Sequence, residues 1–231
     1  MLEIRTLDSF YGRSQVIHGL SLSADDRSIV AIIGRNGVGK TTLLRSILGL
    51  TDRSEGAILL DGADLAGRET FARARAGIAY VPQGRHIIPD FSIRDNILMG
   101  GFAARSGQQR IPEIVPELFP YLMDNLDRPG GVLSGGQQQQ LAIARALAAE
   151  PTVLLMDEPT EGIQPNIVEQ IEESILRLNR ELGLTILLVE QNVGFARRAG
   201  HAFAMMENGR AVAAGPIDAL SDELVSRHMA I

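Results

Sequence analysis

An α/β fold built on a largely parallel sheet is what this sequence predicts, and three observations predict it. Short, continuous apolar runs at residues 28–33, 153–156 and 185–189 read as strands covered on both faces, the pattern of parallel sheets. Stretches of helical spacing alternate with those runs, as a sheet with crossover helices requires. Two glycine-rich loops, residues 34–39 and 134–136, each stand at the start of a helical stretch, where backbone N–H groups gather for an anion.

The elements follow in order. Residues 2–7 and 16–22 alternate apolar and polar side chains, the period of half-exposed strands. Residues 28–33 form a buried strand that runs into the first glycine loop, and residues 41–48 then carry a helical pattern stopped by Gly49. Residues 57–60 with Asp61-Gly62 predict a strand entering a tight turn. Residues 77–81 form another short strand, closed by Pro82. From residue 89 the texture changes. Pro and Gly recur to residue 131, and Ile114, Val115, Leu118 and Leu122 stand at helical spacing. Ser134 can cap a helix over 137–149. Together these predict a small, mostly helical insertion over about 89–150 in an otherwise single domain of residues 1–231. Ile167, Ile171, Ile175, Leu178 and Leu182 form a helical stripe ended by Gly183. Asn208-Gly209 between two apolar runs predicts a hairpin.

Composition bounds the function. The 231 residues are 45% hydrophobic and 22% charged, with a net charge of −6, so a nucleic-acid-binding face is not expected as the main business. Cysteine is absent, which excludes disulfides and thiolate metal sites. Each apolar run is far shorter than the ~20 residues of a spanning helix. The opening Met-Leu-Glu-Ile-Arg lacks the layout of a signal peptide, so the expected location is cytoplasmic, with any membrane link made through partners.

The chemistry begins at Gly34-Arg35-Asn36-Gly37-Val38-Gly39-Lys40-Thr41-Thr42, which matches the phosphate loop G-x-x-x-x-G-K-[ST] between a predicted strand and a predicted helix. Gly34, Asn36, Gly37 and Gly39 would let the backbone curl around phosphates, and Lys40 would neutralise the β- and γ-phosphates. Thr41 would offer its hydroxyl to Mg²⁺, and Thr42 would add a contact to an inner phosphate. Asp157 and Glu158 stand where a buried strand reaches its carboxyl end, the ligand edge of an open α/β sheet. Asp157 would hold Mg²⁺ while Glu158 takes a proton from the attacking water. As a bland alternative the pair could cap the following helix. In the second loop, Ser134 and the amides of Gly135 and Gly136 open a helix and so form another anion clasp, or simply a capped helix.

A loop with Lys, a spare clasp and an Asp-Glu pair, in that order along the chain, resemble the nucleotide-binding subunit of an ABC transporter, over nearly the whole chain. The resemblance implies a P-loop ATPase core with an N-terminal antiparallel β subdomain, a mostly parallel sheet and a small α-helical subdomain. It implies that Ser134, Gly135 and Gly136 contact the γ-phosphate held by an opposite subunit. Gln83 looks like the glutamine that binds Mg²⁺ or water and reports to transmembrane permease subunits. Tyr11 looks like the aromatic residue that stacks on adenine, although packing at a strand edge would also account for it.

Two places depart from the family pattern. The loop after Glu158-Pro159-Thr160 reads Glu161-Gly162-Ile163-Gln164-Pro165 where most members have Ser-Ala-Leu-Asp. The switch position, where many members have Thr-His-Asp, reads Glu190-Gln191-Asn192. Gln191 can bond a γ-phosphate but carries no positive charge, so slower hydrolysis or heavier reliance on Glu158 is expected. The Glu-Gln-Asn switch resembles the second ATP-binding subunit of branched-chain amino acid importers, and the run Leu133–Ile143 with Thr160–Pro165 looks closer still to their urea-importing branch. The expectation is an ATPase on the cytoplasmic face of the inner membrane that energises an importer for urea, short amides or branched-chain amino acids. It would bind ATP and Mg²⁺. It would pair with a second ATP-binding subunit, a heterodimer with unequal sites being expected and a homodimer the other option, and serve a periplasmic solute-binding protein indirectly, with no nucleic-acid partner. A non-transport ABC ATPase of DNA repair or translation is the alternative. The long coiled coils of the first and the paired cassettes of the second are missing from the sequence.

Overall fold

The computed structural model describes residues 1–229, and in it ten strands and nine α-helices follow one another. Strands β1 (Leu2–Tyr11), β2 (Ser14–Ala24) and β3 (Ile29–Ile33) lead into helix α1 (Lys40–Leu48). Strands β4 (Arg53–Leu60) and β5 (Ala63–Asp64), helix α2 (Thr70–Arg75) and strand β6 (Ile78–Val81) come next. Helices α3 (Ile93–Gly100), α4 (Val115–Leu118), α5 (Pro120–Asp124) and α6 (Gly135–Leu147) precede β7 (Val153–Asp157) and α7 (Pro165–Leu182). The chain continues through β8 (Thr185–Glu190), α8 (Val193–Ala199), β9 (Ala202–Glu207), β10 (Arg210–Pro216) and α9 (Asp222–Met229). Among the described residues no helix is long and apolar enough to cross a membrane.

The half-exposed N-terminal strands form an antiparallel sheet in the order β2-β1-β4-β5, and the remaining six form a second sheet in the order β10-β9-β3-β8-β7-β6. In the second sheet β9, β3, β8, β7 and β6 run parallel, and β10 returns antiparallel on β9. Every residue of β3, β7 and β8 is buried, which is why these strands read as unbroken apolar runs. Their shared direction brings the carboxyl ends of β3, β6, β7 and β8 to one edge of the sheet. That edge carries residues 34–42, Gln83, Asp157-Glu158 and Gln191.

The two faces of the sheet pack separately because side chains alternate along a strand. Leu155 of β7, Ile78 and Tyr80 of β6 and Leu187 and Val189 of β8 lie in one cluster with Leu43, Leu44 and Ile47 of α1 and with the antiparallel sheet. Leu154, Met156, Ile186 and Leu188 face the other way, against α6 and Ile171, Ile175 and Leu178 of α7. Residues 93–133 contribute Ile93, Ile97, Val115, Phe119, Leu122 and Leu133 to that same cluster.

Several details differ from the sequence reading. The stripe from Ile114 to Leu122 is two short helices, because the chain leaves helical geometry at Phe119 and restarts at Pro120, which has no N–H to continue the first helix. Helix α6 begins two residues early, at Gly135. The Ser134 hydroxyl accepts from the Gln137 amide at 3.4 Å, and Gln137 Oε1 accepts from the Ser134 amide at 3.0 Å, a reciprocal capping box. The Asn208-Gly209 hairpin reaches back to the phosphate loop, with Gly209 N–H donating to Val38 O at 2.9 Å and His18 N–H to Gly209 O at 3.0 Å.

Helices α3 and α6 cross closely, and Gly100 lies directly against the Arg145 carbonyl with no space for a Cβ. Gly100→Ala is expected to force the helices apart and cost about 2–3 kcal/mol in urea unfolding. Unchanged stability would show that the crossing is loose.

Candidate nucleotide site

The phosphate loop starts where β3 ends, and three of its glycines are required by local geometry. A Cβ on Gly34 would lie 2.5 Å from Met206 O of β9, while Gly37 and Gly39 hold φ of +81° and +105°, which favours residues without a Cβ. Gly39 is the N-cap of α1 and supplies no side-chain cap, so the first N–H groups of the helix remain for an anion. Asn36, Gly37, Gly39, Lys40, Thr41 and Thr42 line a cavity of ≈ 290 Å³ together with Val16, Gln83 and Glu158. That volume suits a polyphosphate tail better than a whole nucleotide. A larger opening of ≈ 680 Å³ lies at the amino end of β3, beside Ser28 and His201. It is remote from the glycine loop, and His201 Nδ1 there is already taken by the Ile29 amide at 3.0 Å.

Lys40 is only 4% exposed. Its Nζ donates to Gly34 O at 2.8 Å and Arg35 O at 3.0 Å, and pairs with Glu158 Oε1 at 3.3 Å. Glu158 Oε2 accepts from Gln191 Nε2 at 2.9 Å and, at 3.4 Å, from Gln83 Nε2. Lys40, Gln83 and Gln191 thus converge on one carboxylate. Glu158 itself has φ of +47°, a conformation that costs a non-glycine residue of order 1 kcal/mol and concentrates at functional sites.

Asp157 is fully buried at the end of β7. Its Oδ2 accepts from the Tyr80 hydroxyl at 3.1 Å, and its Oδ1 has no partner. Burial pushes its pKa up against the opposing pull of the Thr41 and Tyr80 hydroxyls, and the neighbouring Glu158 charge adds to the rise. Tyr11 does not line the cavity. Its hydroxyl lies against the Arg45 guanidinium of α1, which raises the Arg45 pKa.

Glu190, at the end of β8, is buried and shifted up by burial. Its carboxylate accepts from the Thr160 hydroxyl at 2.8 Å and from the amides of Gln191 and Asn192, so it shapes the turn that presents Gln191. Gln83 donates to Glu161 Oε2 at 2.7 Å, and Arg85 reaches Gly162 O at 3.4 Å. Ser134, Gly135 and Gly136 sit apart from the cavity. The Arg85 guanidinium borders Gly135, and Gly136 packs on Ile167 of α7 with no space for a Cβ.

Sequence reasoning missed Tyr80, Glu190, Thr160 and Arg85 as parts of this assembly. A buried acid closing an apolar strand was a usable signal for Glu190, and a tyrosine inside a four-residue buried strand was one for Tyr80.

Since burial raises Asp157 above its ordinary 3.8, the folded chain binds that proton more tightly than the unfolded chain. Stability therefore falls as pH rises from 3.8 through the folded value. Asp157→Asn, which does not titrate, is expected to melt higher than wild type near pH 7 in metal-free buffer, the difference closing as pH drops below 3.8. Equal melting at both pH values would contradict the buried charge.

Comparison with known proteins gives the assembly a context. The family model described as ABC transporter matches residues 17–161. The chain is 39% identical to a high-affinity branched-chain amino acid transport ATP-binding protein, BraG, of Pseudomonas aeruginosa, over 92% of this chain and 91% of that one. It is 34% identical to a probable branched-chain amino acid transport ATP-binding protein, LivF, of Archaeoglobus fulgidus, over 91% and 89%. A phosphate import ATP-binding protein, PstB, of Tropheryma whipplei is 37% identical over 94% and 88%. The crystal structure of an ATP-binding cassette of an ABC transporter in its ADP conformation superposes with a TM-score of 0.81 at 27% identity, covering 98% of this chain and 97% of the other.

Proposed function

The chain belongs to the ABC transporter family as an ATP-binding, ATP-hydrolysing subunit, and from that premise we propose how its residues act and what they serve. The observation that carries the reading is the convergence of Lys40, Glu158, Gln191 and Gln83 on one cavity at the carboxyl edge of the parallel sheet.

Lys40 and the amides of residues 37–42 hold the β- and γ-phosphates of ATP, with Gly34, Asn36, Gly37 and Gly39 shaping the loop and Thr42 adding a hydroxyl. Tyr11, the last residue of β1 with its hydroxyl against Arg45, offers its ring to the adenine outside the phosphate cavity. Thr41, Asp157 and Gln83 would hold Mg²⁺, and the buried, unpartnered Oδ1 of Asp157 fits a cation. When bound, the ion neutralises charge on the phosphates. Glu158 receives the proton of the attacking water on its carboxylate. Gln191 orients that carboxylate through its 2.9 Å bond and offers a neutral amide to the γ-phosphate.

Ser134, Gly135 and Gly136 lie outside the chain's own cavity and serve the nucleotide of a second ATP-binding subunit, a sister chain or another copy. Closure of that pair on ATP, and its opening after hydrolysis, drives permease subunits at the cytoplasmic face of the membrane. Residues 89–150, as a helical subdomain, transmit the motion. The transported solutes are small and polar. The printed names of the BraG and LivF relatives support branched-chain amino acids, while residues 133–143 and 160–165 resemble the urea-importing branch.

Glu158→Gln is expected to retain ATP binding and lower turnover by about 10²–10⁴-fold, leaving an ATP-dependent dimer visible by light scattering. Wild-type turnover in that variant would remove Glu158 from the base role. Gln191→His is expected to raise turnover, and an unchanged rate would show that the switch amide limits nothing. Uptake of labelled leucine and of urea by cells lacking the chain assigns the solute: loss of one of them identifies it, and loss of neither excludes both.

A further inference from the structure

We propose that Tyr80 is a positioning residue for Asp157: its hydroxyl ties one carboxylate oxygen and so commits the other to the metal ion. The inference rests on the reading of Asp157 as a metal ligand.

Strands β6 and β7 are parallel with Tyr80 opposite Leu155, so Tyr80, Leu155 and Asp157 share one face of the sheet. The same face is covered by α1, where Thr41 and Arg45 lie one turn apart and both come near Asp157. The 3.1 Å bond from the Tyr80 hydroxyl goes to Oδ2 alone. Oδ1, equally buried, is left without a donor. A carboxylate on a short side chain turns about χ2 within a broad well, so a single tether is enough to choose which oxygen is presented. The Tyr80 ring packs with the core cluster under α1, which fixes the hydroxyl in turn. Residues beyond the coordination shell that orient a ligand carry a measurable share of metal affinity.

Phenylalanine keeps the ring and removes only the tether. The test titrates Mg²⁺ into the full chain with a fluorescent ATP analogue, for wild type, Tyr80→Phe and Asp157→Asn. Mn²⁺ binding, followed by its paramagnetic signal, provides a second readout without hydrolysis. Tyr80→Phe is expected to raise the half-saturating metal concentration about tenfold with metal-free ATP affinity unchanged, and to melt somewhat lower because buried Asp157 Oδ2 loses its donor. Asp157→Asn should remove the metal dependence. A wild-type metal profile in Tyr80→Phe beside a shifted Asp157→Asn would overturn the role of Tyr80 alone. A loss of metal-free ATP affinity as large as the loss of metal affinity in Tyr80→Phe would reduce it to packing and also overturn the proposal. A wild-type profile in Asp157→Asn would remove the metal reading beneath it.

Discussion

A buried ammonium must find oxygen, and in this protein Lys40 finds it in the loop that carries it and in the strand beside that loop. The carbonyls of Gly34 and Arg35 and the carboxylate of Glu158 surround its Nζ. One side chain thereby closes the glycine loop on itself and ties the end of β3 to the end of β7. Such a pair gives little net stability, because taking both charges out of water offsets most of their attraction. What the contact provides is placement. Phosphate oxygens can take over the same ammonium without leaving it unpaired, and Glu158 is then held by its amide donors.

Those donors make the carboxyl edge of the parallel sheet a connected unit. Gln191 and Gln83 come from the ends of β8 and β6, and both reach Glu158. Gln83 also reaches Glu161, so the segments after β6 and β7 share a link that the family's usual Ser-Ala-Leu-Asp loop would not make in this form. Arg145 of α6 donates to the carbonyls of Arg85 and His86 at 3.0 and 2.7 Å. Helix α6, capped by Ser134, therefore grips the backbone two and three residues after Gln83, which joins the second glycine loop to the cavity through covalent chain and two hydrogen bonds. The neutral switch fits this arrangement: Gln191 donates to Glu158 without adding a second positive charge beside Lys40.

Much of the fold was legible because its signals are local. Strands β3, β7 and β8 announce themselves as apolar runs, the phosphate loop as a spacing, and the Asn208-Gly209 hairpin as a dipeptide. Helices α2, α8 and α9 were not anticipated, since six to eight residues hold barely two turns and too little periodicity to read. The partners within the site were least legible. Tyr80 and Asp157, or Gln83 and Glu161, are 77 and 78 residues apart, and only the pairing of β6 with β7 brings them together.

On this reading the Lys40 ammonium, held between the glycine loop and Glu158, is the group that a triphosphate takes over. Equilibrium titration of a fluorescent ATP analogue against wild type and Lys40→Ala, with circular dichroism to verify the fold, tests it directly. Loss of a charge-assisted bond to phosphate predicts at least about tenfold weaker binding in a chain that remains folded. Equal affinity in the two proteins would contradict the account.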